Sequence, residues 1–109
     1  MTAVETGLTG TLRLTLEKGA APPLPLAETP DALITFGFDP DLDRAAEVAL
    51  LAMMRRIEVL SGLDAEAAYR LCSLVADLRV TQLVNQRKGV HAVLPRWVAD
   101  ELPASRHPR

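Results

Sequence analysis

Five polar residues that can donate or accept hydrogen bonds lie within a short stretch near the C-terminus. They are Asp77, Arg79, Gln82, Asn85 and His91, in or beside two apolar segments rich in β-branched residues. A site for a small polar amide needs hydrogen-bond donors for the carbonyl oxygen and acceptors for the NH₂ group, and these residue types supply both. We therefore treat these five as candidate substrate-pocket or supporting residues.

The strand pattern predicts where these side chains point. In a strand that begins near Leu78, Arg79, Thr81 and Asn85 lie on one face and Gln82 lies on the other, because successive side chains alternate. A second interpretation stays open, in which Asp77 and Arg79 form an ion pair and Asn85 caps a turn. Exposed strands often carry such residues.

Other residues of catalytic or metal-binding type have simpler interpretations. His91 has no second metal ligand at a recognisable spacing, so a histidine bonded to backbone or water competes with a ligand or a general base. Cys72 falls on the apolar face of a predicted helix, which favours core packing over a nucleophilic role. The acidic run over 39–43 lacks the glycine and distal glutamate of an EF-hand, so helix capping is favoured. We expect no metal site formed by this chain itself.

The composition predicts a single globular domain over 1–109. Of the 109 residues, 49% are hydrophobic and 24% are charged, which excludes a disordered class. The net charge of −2, without a charge run, favours neither nucleic acid nor a membrane as a partner. The single cysteine, the lack of a signal-peptide pattern and the lack of a long apolar segment suit a cytoplasmic protein.

Strands and a proline-rich connection are predicted in the first part of the chain. Leucines at every second position over 9–17 predict a half-buried strand, so 1–19 is assigned as a strand unit. Four prolines over 20–30 predict a packed, extended connection rather than a loose linker. Branched and aromatic residues over 32–38 predict a second strand, in which Gly37 marks a bulge or the close approach of another backbone.

Two helices and a hairpin are predicted over the remainder. Apolar residues at spacings of three and four predict a long amphipathic helix over 40–60, capped by Asp39 and ended by Gly62. Asp64 caps a second helix, and the short connection predicts an antiparallel helix pair. Strands from Leu78 and over 89–95 then form a β-hairpin. The predicted fold class is α+β, with a unit over 31–103 and a polar tail over 104–109.

Three segments of the chain resemble the acetamidase/formamidase family. Residues 34–45 read ITFGFDPDLDRA, residues 66–85 read EAAYRLCSLVADLRVTQLVN, and residues 88–95 read KGVHAVLP. The opening TAVET, residues 2–6, is similar to the family strand that follows a glycine-rich, acidic and histidine-bearing middle section. The resemblance covers nearly the whole chain in one register.

The resemblance implies the C-terminal portion of a β-rich enzyme. The family hydrolyses the C–N bond of small linear amides such as formamide and acetamide, producing a carboxylate and ammonia. Its metal-binding Asp and His residues are expected in an upstream GDxHxxQGxGE-like stretch that this sequence lacks. A divalent metal, zinc or calcium, is therefore implied for the full-length family and not for this chain. The five polar residues are implied to line or support the amide pocket, with His91 as the direct contact.

The lack of that upstream stretch predicts a chain that is inactive alone. It is then a truncated or split part of the hydrolase, a fragment, or a small relative without catalysis. The expected partners are the small amide in the full enzyme and either further copies of this chain or a chain that supplies the upstream portion. The alternative function is a non-catalytic α+β interaction or oligomerisation module derived from the same family.

Overall fold

A computed structural model describes residues 6–19 and 21–103 of the chain. These residues form a four-stranded antiparallel sheet with the strand order β1-β2-β4-β3. The long helix α1 lies across the two central strands, and α2 packs against α1. The predicted α+β class and the terminal hairpin are confirmed. In chain order the elements are β1 (Leu26–Glu28), β2 (Ala32–Asp39), α1 (Leu42–Ser61), α2 (Ala65–Val75), β3 (Asp77–Gln82), β4 (Lys88–Pro95) and α3 (Arg96–Glu101).

The core lies between the sheet and the helices. The buried side of α1 repeats at spacings of three and four, as an amphipathic helix requires. It packs on every second residue of β2 and β4, because side chains alternate along a strand. The residues of the core are fully or almost fully buried, and the main ones are Leu33, Ala45, Ala49, Met53, Ile57, Ala68, Cys72, Val90, Ala92, Leu94 and Val98.

The contact between α1 and β2 is closest at Gly37. A Cβ atom added there would lie 2.1 Å from the backbone oxygen of Ala45 and 2.5 Å from the backbone nitrogen of Ala49. Two residues away, the buried Thr35 donates from Oγ1 to the carbonyl oxygen of Ala49 at 2.8 Å. Of the two predicted reasons for Gly37, the close approach of another backbone is the one observed.

The two ends of α1 are capped by short polar residues and one glycine. Asp41, rather than the predicted Asp39, is the cap of α1, and its carboxylate accepts from the backbone N–H groups of Asp43 and Arg44. Asp39 lies two residues earlier, and its carboxylate accepts from the backbone N–H of Asp41. Gly62 ends α1 with φ of 71°, in the left-handed region, as predicted.

The predicted strand over 9–17 is not observed. Residues 6–17 have no regular secondary structure, and Leu12, Leu14 and Leu16 are 87%, 92% and 81% exposed. The alternating pattern predicts a strand only where a neighbouring strand can pair with it and a core can cover its leucines. Within the described residues, neither is present beside this segment. The predictions for residues 1–5 and 104–109 concern parts of the chain outside the described residues.

Two short elements were missed by the sequence patterns. Strand β1 has only three residues and lies inside the predicted proline-rich connection, directly after Pro25. Helix α3 follows Pro95, which ends β4 as predicted. Neither element is long enough to show a clear hydrophobic period. In the ranges that the structure covers, none of the helices has the length and apolar character that a membrane span requires.

A glutamate on β1 holds the edge of the sheet to both neighbouring helices. Glu28 bonds to Arg56 of α1 at 2.7 Å and lies 3.6 Å from Arg96 of α3. The hydrogen bond from Arg56 is the main cause that lowers the pKa of Glu28, although its partial burial opposes the shift. Because half of the Glu28 side chain is exposed, solvent screens these ion pairs. They orient β1 more than they stabilise it.

We predict that Gly37→Ala destabilises the fold strongly. The added methyl group would collide with the backbone of α1, so the helix must move away from the sheet, at a cost of about 2–3 kcal/mol. Urea unfolding measures the loss. Gly10→Ala is the matched control, since a Cβ atom there meets nothing within 4 Å. Equal unfolding midpoints for the two variants would contradict the close contact.

Candidate functional site

All three helices contribute to one core, so among the described residues no helix covers the other face of the sheet. Leu33, Val90 and Leu94 point towards the helices, and the residues that alternate with them point the other way. We call this second surface the open face. Along the described chain its main residues are Ile34, Phe36, Phe38, Asp77, Arg79, Gln82, Gly89, His91 and Val93.

Asp77, Arg79 and His91 are brought together on the open face by the pairing of β3 with β4. Arg79 lies directly opposite His91, and Asp77 lies opposite Val93. Arg79 donates to Asp77 at 3.2 Å, which confirms the ion pair of the second interpretation. Both side chains remain more than half exposed, so the pair contributes little to stability. It nevertheless leaves a guanidinium and a carboxylate beside the histidine.

These three residues line a shallow depression of about 360 Å³. Its lining combines apolar side chains of the two central strands, Ile34 and Val93, with polar groups. This combination is typical of small-molecule sites, in which a few polar groups orient a ligand over an apolar surface. The complete lining is Thr29, Asp31, Ala32, Ile34, Asp77, Arg79, His91, Val93 and Pro95.

A β-bulge places Gln82 on the open face as well. Val80 pairs with Val90 and Gln82 pairs with Gly89, so Thr81 is one extra residue on β3. A Cβ atom built on Gly89 would lie 3.2 Å from Cγ of Gln82 and 3.1 Å from the ring of Phe38, so all three share one side. The predicted opposite orientation of Gln82 and Arg79 is therefore wrong, because simple alternation does not hold across a bulge.

His91 is held by contacts on two sides. Its Nδ1 atom lies 2.7 Å from Oγ1 of Thr81. Its ring lies 6.0 Å from that of Phe36, tilted by 41°, and Phe36 in turn lies parallel to Phe38 at 6.2 Å. Within the described residues the hydrogen-bond partner of the ring is therefore a side chain. Of the recorded hydrogen bonds of the described residues, none uses Nε2.

Asn85 belongs to the turn and not to the depression. Asn85 and Gln86 have φ of 64° and 60°, and two successive positive values are typical of a type I′ turn. Asparagine tolerates this backbone conformation better than most residues. The turn role predicted for Asn85 as the alternative is the one that the structure supports. Gln82 also supports this end of the hairpin, since its Nε2 donates to the carbonyl oxygen of Arg87 at 2.9 Å.

Cys72 and the acidic run over 39–43 have structural roles. Cys72 is 3% exposed in the core, and burial raises the pKa of its thiol, which keeps it protonated and a poor nucleophile. The carboxylates of Asp39 and Asp41 accept backbone hydrogen bonds at the start of α1. In the part of the chain that the structure describes, no three His, Cys, Asp or Glu side chains are placed to hold a metal ion. The donor set here does not fit the divalent metal implied for the family.

Comparisons with solved structures show what this arrangement resembles. The chain is similar to the acetamidase from Bacillus halodurans, with 31% identity and a TM-score of 0.69 over 73% of this chain. It is also similar to a predicted acetamidase/formamidase from the thermophile Thermoanaerobacter tengcongensis, with 25% identity and a TM-score of 0.71 over 78% of this chain. The resemblance to the acetamidase/formamidase family is confirmed.

The chain matches only part of each of these two proteins. The chain spans 27% of the length of the first solved structure and 28% of the second, which fits the predicted C-terminal portion. No protein-family model matches the chain, and no curated protein matches it. The acetamidase/formamidase likeness therefore comes from solved structures, in agreement with the segments that resemble the family in sequence.

The sequence patterns missed three residues of the site. Thr81 was placed on the same face as Arg79 but was not assigned to the site, because its bond to His91 depends on the pairing of β3 with β4, which no local signal reveals. Phe36 and Phe38 were assigned to a strand but not to a face. Their spacing of two residues is the signal that could have placed them together on one side, opposite the small Gly37 that faces α1.

We predict that Asn85 contributes backbone conformation rather than contacts. Asn85→Gly keeps the stability of the chain or raises it slightly, because glycine adopts positive φ without strain. Asn85→Ala lowers the free energy of unfolding by about 1 kcal/mol, because alanine has the steric penalty of a Cβ atom without the short polar side chain that makes positive φ tolerable for asparagine. Urea unfolding of the two variants checks this. An equal loss in both would show that the side chain itself is needed.

Proposed function

We propose that this chain is part of an amide hydrolase that cleaves the C–N bond of small linear amides such as formamide and acetamide. The open face would form one wall of the amide pocket. The observation that carries the proposal is the convergence of four predicted polar residues on one face of a sheet whose fold is similar to that of an acetamidase. Those residues are Asp77, Arg79, Gln82 and His91.

The chemistry of the open face matches the two ends of an amide. The guanidinium of Arg79 and an imidazole N–H of His91 are donors for the carbonyl oxygen. The carboxylate of Asp77 and the side-chain oxygen of Gln82 are acceptors for the NH₂ group. When water attacks the carbonyl carbon, negative charge develops on its oxygen, and the same donors stabilise that charge. The role inferred for these residues is binding and charge stabilisation, not nucleophilic attack.

The depression needs a cover before it can act as a catalytic pocket. Asp77 and Arg79 are 67% and 58% exposed, and hydrogen bonds to a small amide gain little in bulk water. Excluding water strengthens every electrostatic interaction inside a site. We infer that the cover comes from the portion of the hydrolase that this chain does not match. That portion, supplied by a partner chain or by an oligomer, would also carry the attacking group and any divalent metal.

A second candidate is a non-catalytic interaction module. The observation in its favour is the outer edge strand β3, where Leu78 and Val80 are 48% and 52% exposed beside the 82% exposed Leu74. An open edge strand with apolar side chains is a template for an added strand from another chain. Both candidates thus require a partner, and only the first requires turnover of an amide.

We predict that activity requires both portions. The chain alone releases no ammonia from formamide or acetamide above background, because its described residues include no metal site and its only cysteine is buried. Addition of the upstream portion of the Bacillus halodurans acetamidase, with its own matching segment removed, restores ammonia release. Continuous ammonia detection with the chain alone, the upstream portion alone and the mixture is the measurement.

The three outcomes of that experiment are distinct. Activity in the mixture only supports the proposed function. Activity of the chain alone would sink the inference that the attacking group lies elsewhere. A stable oligomer or mixed complex that shows no activity with either amide would favour the interaction module.

We predict that two open-face variants weaken the active mixture. His91→Ala lowers kcat/KM by about 10–100-fold and Gln82→Ala by about 5–10-fold, since each removes one hydrogen-bonding group from the pocket. Steady-state kinetics with formamide measures both. Glu47→Gln is the control, because Glu47 lies on the exposed side of α1, where its side chain pairs with Arg44. Unchanged kinetics in both open-face variants would refute the assignment of the pocket.

A further inference from the structure

The bulge in β3 has a direct effect on His91. Thr81 is the extra residue between Val80 and Gln82, and its Oγ1 atom lies 2.7 Å from Nδ1 of the histidine ring. β-Bulges commonly redirect a side chain at a functional site. Arg79 lies directly opposite His91 in the same ladder, but its guanidinium donates to Asp77, and the hydroxyl of Thr81 is the group at Nδ1 of the histidine.

We propose that Thr81 is a positioning residue that selects the tautomer of His91. The threonine hydroxyl donates to Nδ1, so the neutral ring carries its proton on Nε2. The Nε2–H group is then the donor offered to the carbonyl oxygen of the amide. The substrate part of this inference rests on the proposed function, whereas the tautomer part concerns this chain alone.

The hydrogen-bond capacities of the two groups favour this direction. A threonine hydroxyl has one proton to give, and among the recorded bonds of the described residues Oγ1 of Thr81 has only His91 as a partner. Donation to Nδ1 uses that proton. In the opposite direction, from Nδ1–H to Oγ1, the hydroxyl proton of the exposed Thr81 would be left to solvent. That direction would also leave Nε2 without a proton, and such an atom cannot bind a carbonyl oxygen.

The neighbouring aromatic ring keeps the imidazole in this orientation. Phe36 lies opposite His91 in the β2–β4 ladder, with the ring centroids 6.0 Å apart. Because Phe36 is itself stacked on Phe38, the histidine has a fixed apolar surface on one side and the threonine hydroxyl at Nδ1. One nitrogen is thereby committed to the protein, and the other remains for a ligand. A hydrogen bond from the protein to one ring nitrogen is a general way of fixing which tautomer a histidine adopts.

The tautomer can be measured directly in the chain alone. The sequence has two histidines, so ¹⁵N labelling of histidine gives two sets of ring signals, and His91→Gln identifies those of His91. At a pH where the ring is neutral, we expect His91 to be mainly the Nε2–H form. Thr81→Val, which removes the hydroxyl but keeps the branched shape, converts this to a mixture. Thr81→Ser retains the Nε2–H form, and Thr11→Val in the exposed N-terminal segment changes nothing.

The same variants have a kinetic consequence in the active mixture. Thr81→Val lowers kcat/KM for formamide by about 10-fold. Thr81→Ser keeps at least half of the kcat/KM of the unaltered mixture, because the serine hydroxyl makes the same bond. A His91 signal that is mainly Nδ1–H in the unaltered chain, or a tautomer ratio that Thr81→Val leaves unchanged, would overturn the role of Thr81. An unaltered mixture without amide hydrolysis would instead overturn the proposed function, and the tautomer result would still decide the role of Thr81.

Discussion

The close packing of α1 on β2 is the constraint on which the rest of the structure depends. At Gly37 the helix backbone occupies the space of a side chain, and Thr35 is bonded to the carbonyl oxygen of Ala49. This contact fixes which face of the central strands is buried. Since β2 and β4 are paired over eight residues, fixing one strand fixes the other. The position of His91 on the open face follows from that register.

One irregularity in an otherwise regular ladder adds a further polar side chain to the open face. With strict alternation, β3 would present Arg79 and Thr81 on one side and Gln82 on the other. The bulge instead adds Gln82 to the side that already carries Arg79. The extra residue is also the one that contacts His91. A change of one residue in the ladder thus adds Gln82 to the groups that the proposed amide pocket requires.

Much of the fold follows from local physics that the sequence shows. The caps, the apolar spacing of α1 and the branched residues of β2 predict their elements within a few residues. The segment over 9–17 fails, because its alternation describes a strand that needs partners which the described residues do not provide. For the site, residue types were informative about Asp77, Arg79 and His91. Thr81 was not predictable, because a bulge depends on the tertiary pairing of two strands.

The central claim is that the open face, rather than the outer face of α1, meets the remainder of the enzyme. A photoreactive benzoylphenylalanine tests this when placed at Val93 on the open face or at the 45% exposed Leu51 on α1. Each variant is irradiated with the upstream portion of the acetamidase, and cross-linked product is measured by mass spectrometry. The account predicts cross-linking from position 93 and little from position 51. Cross-linking from position 51 alone would contradict it.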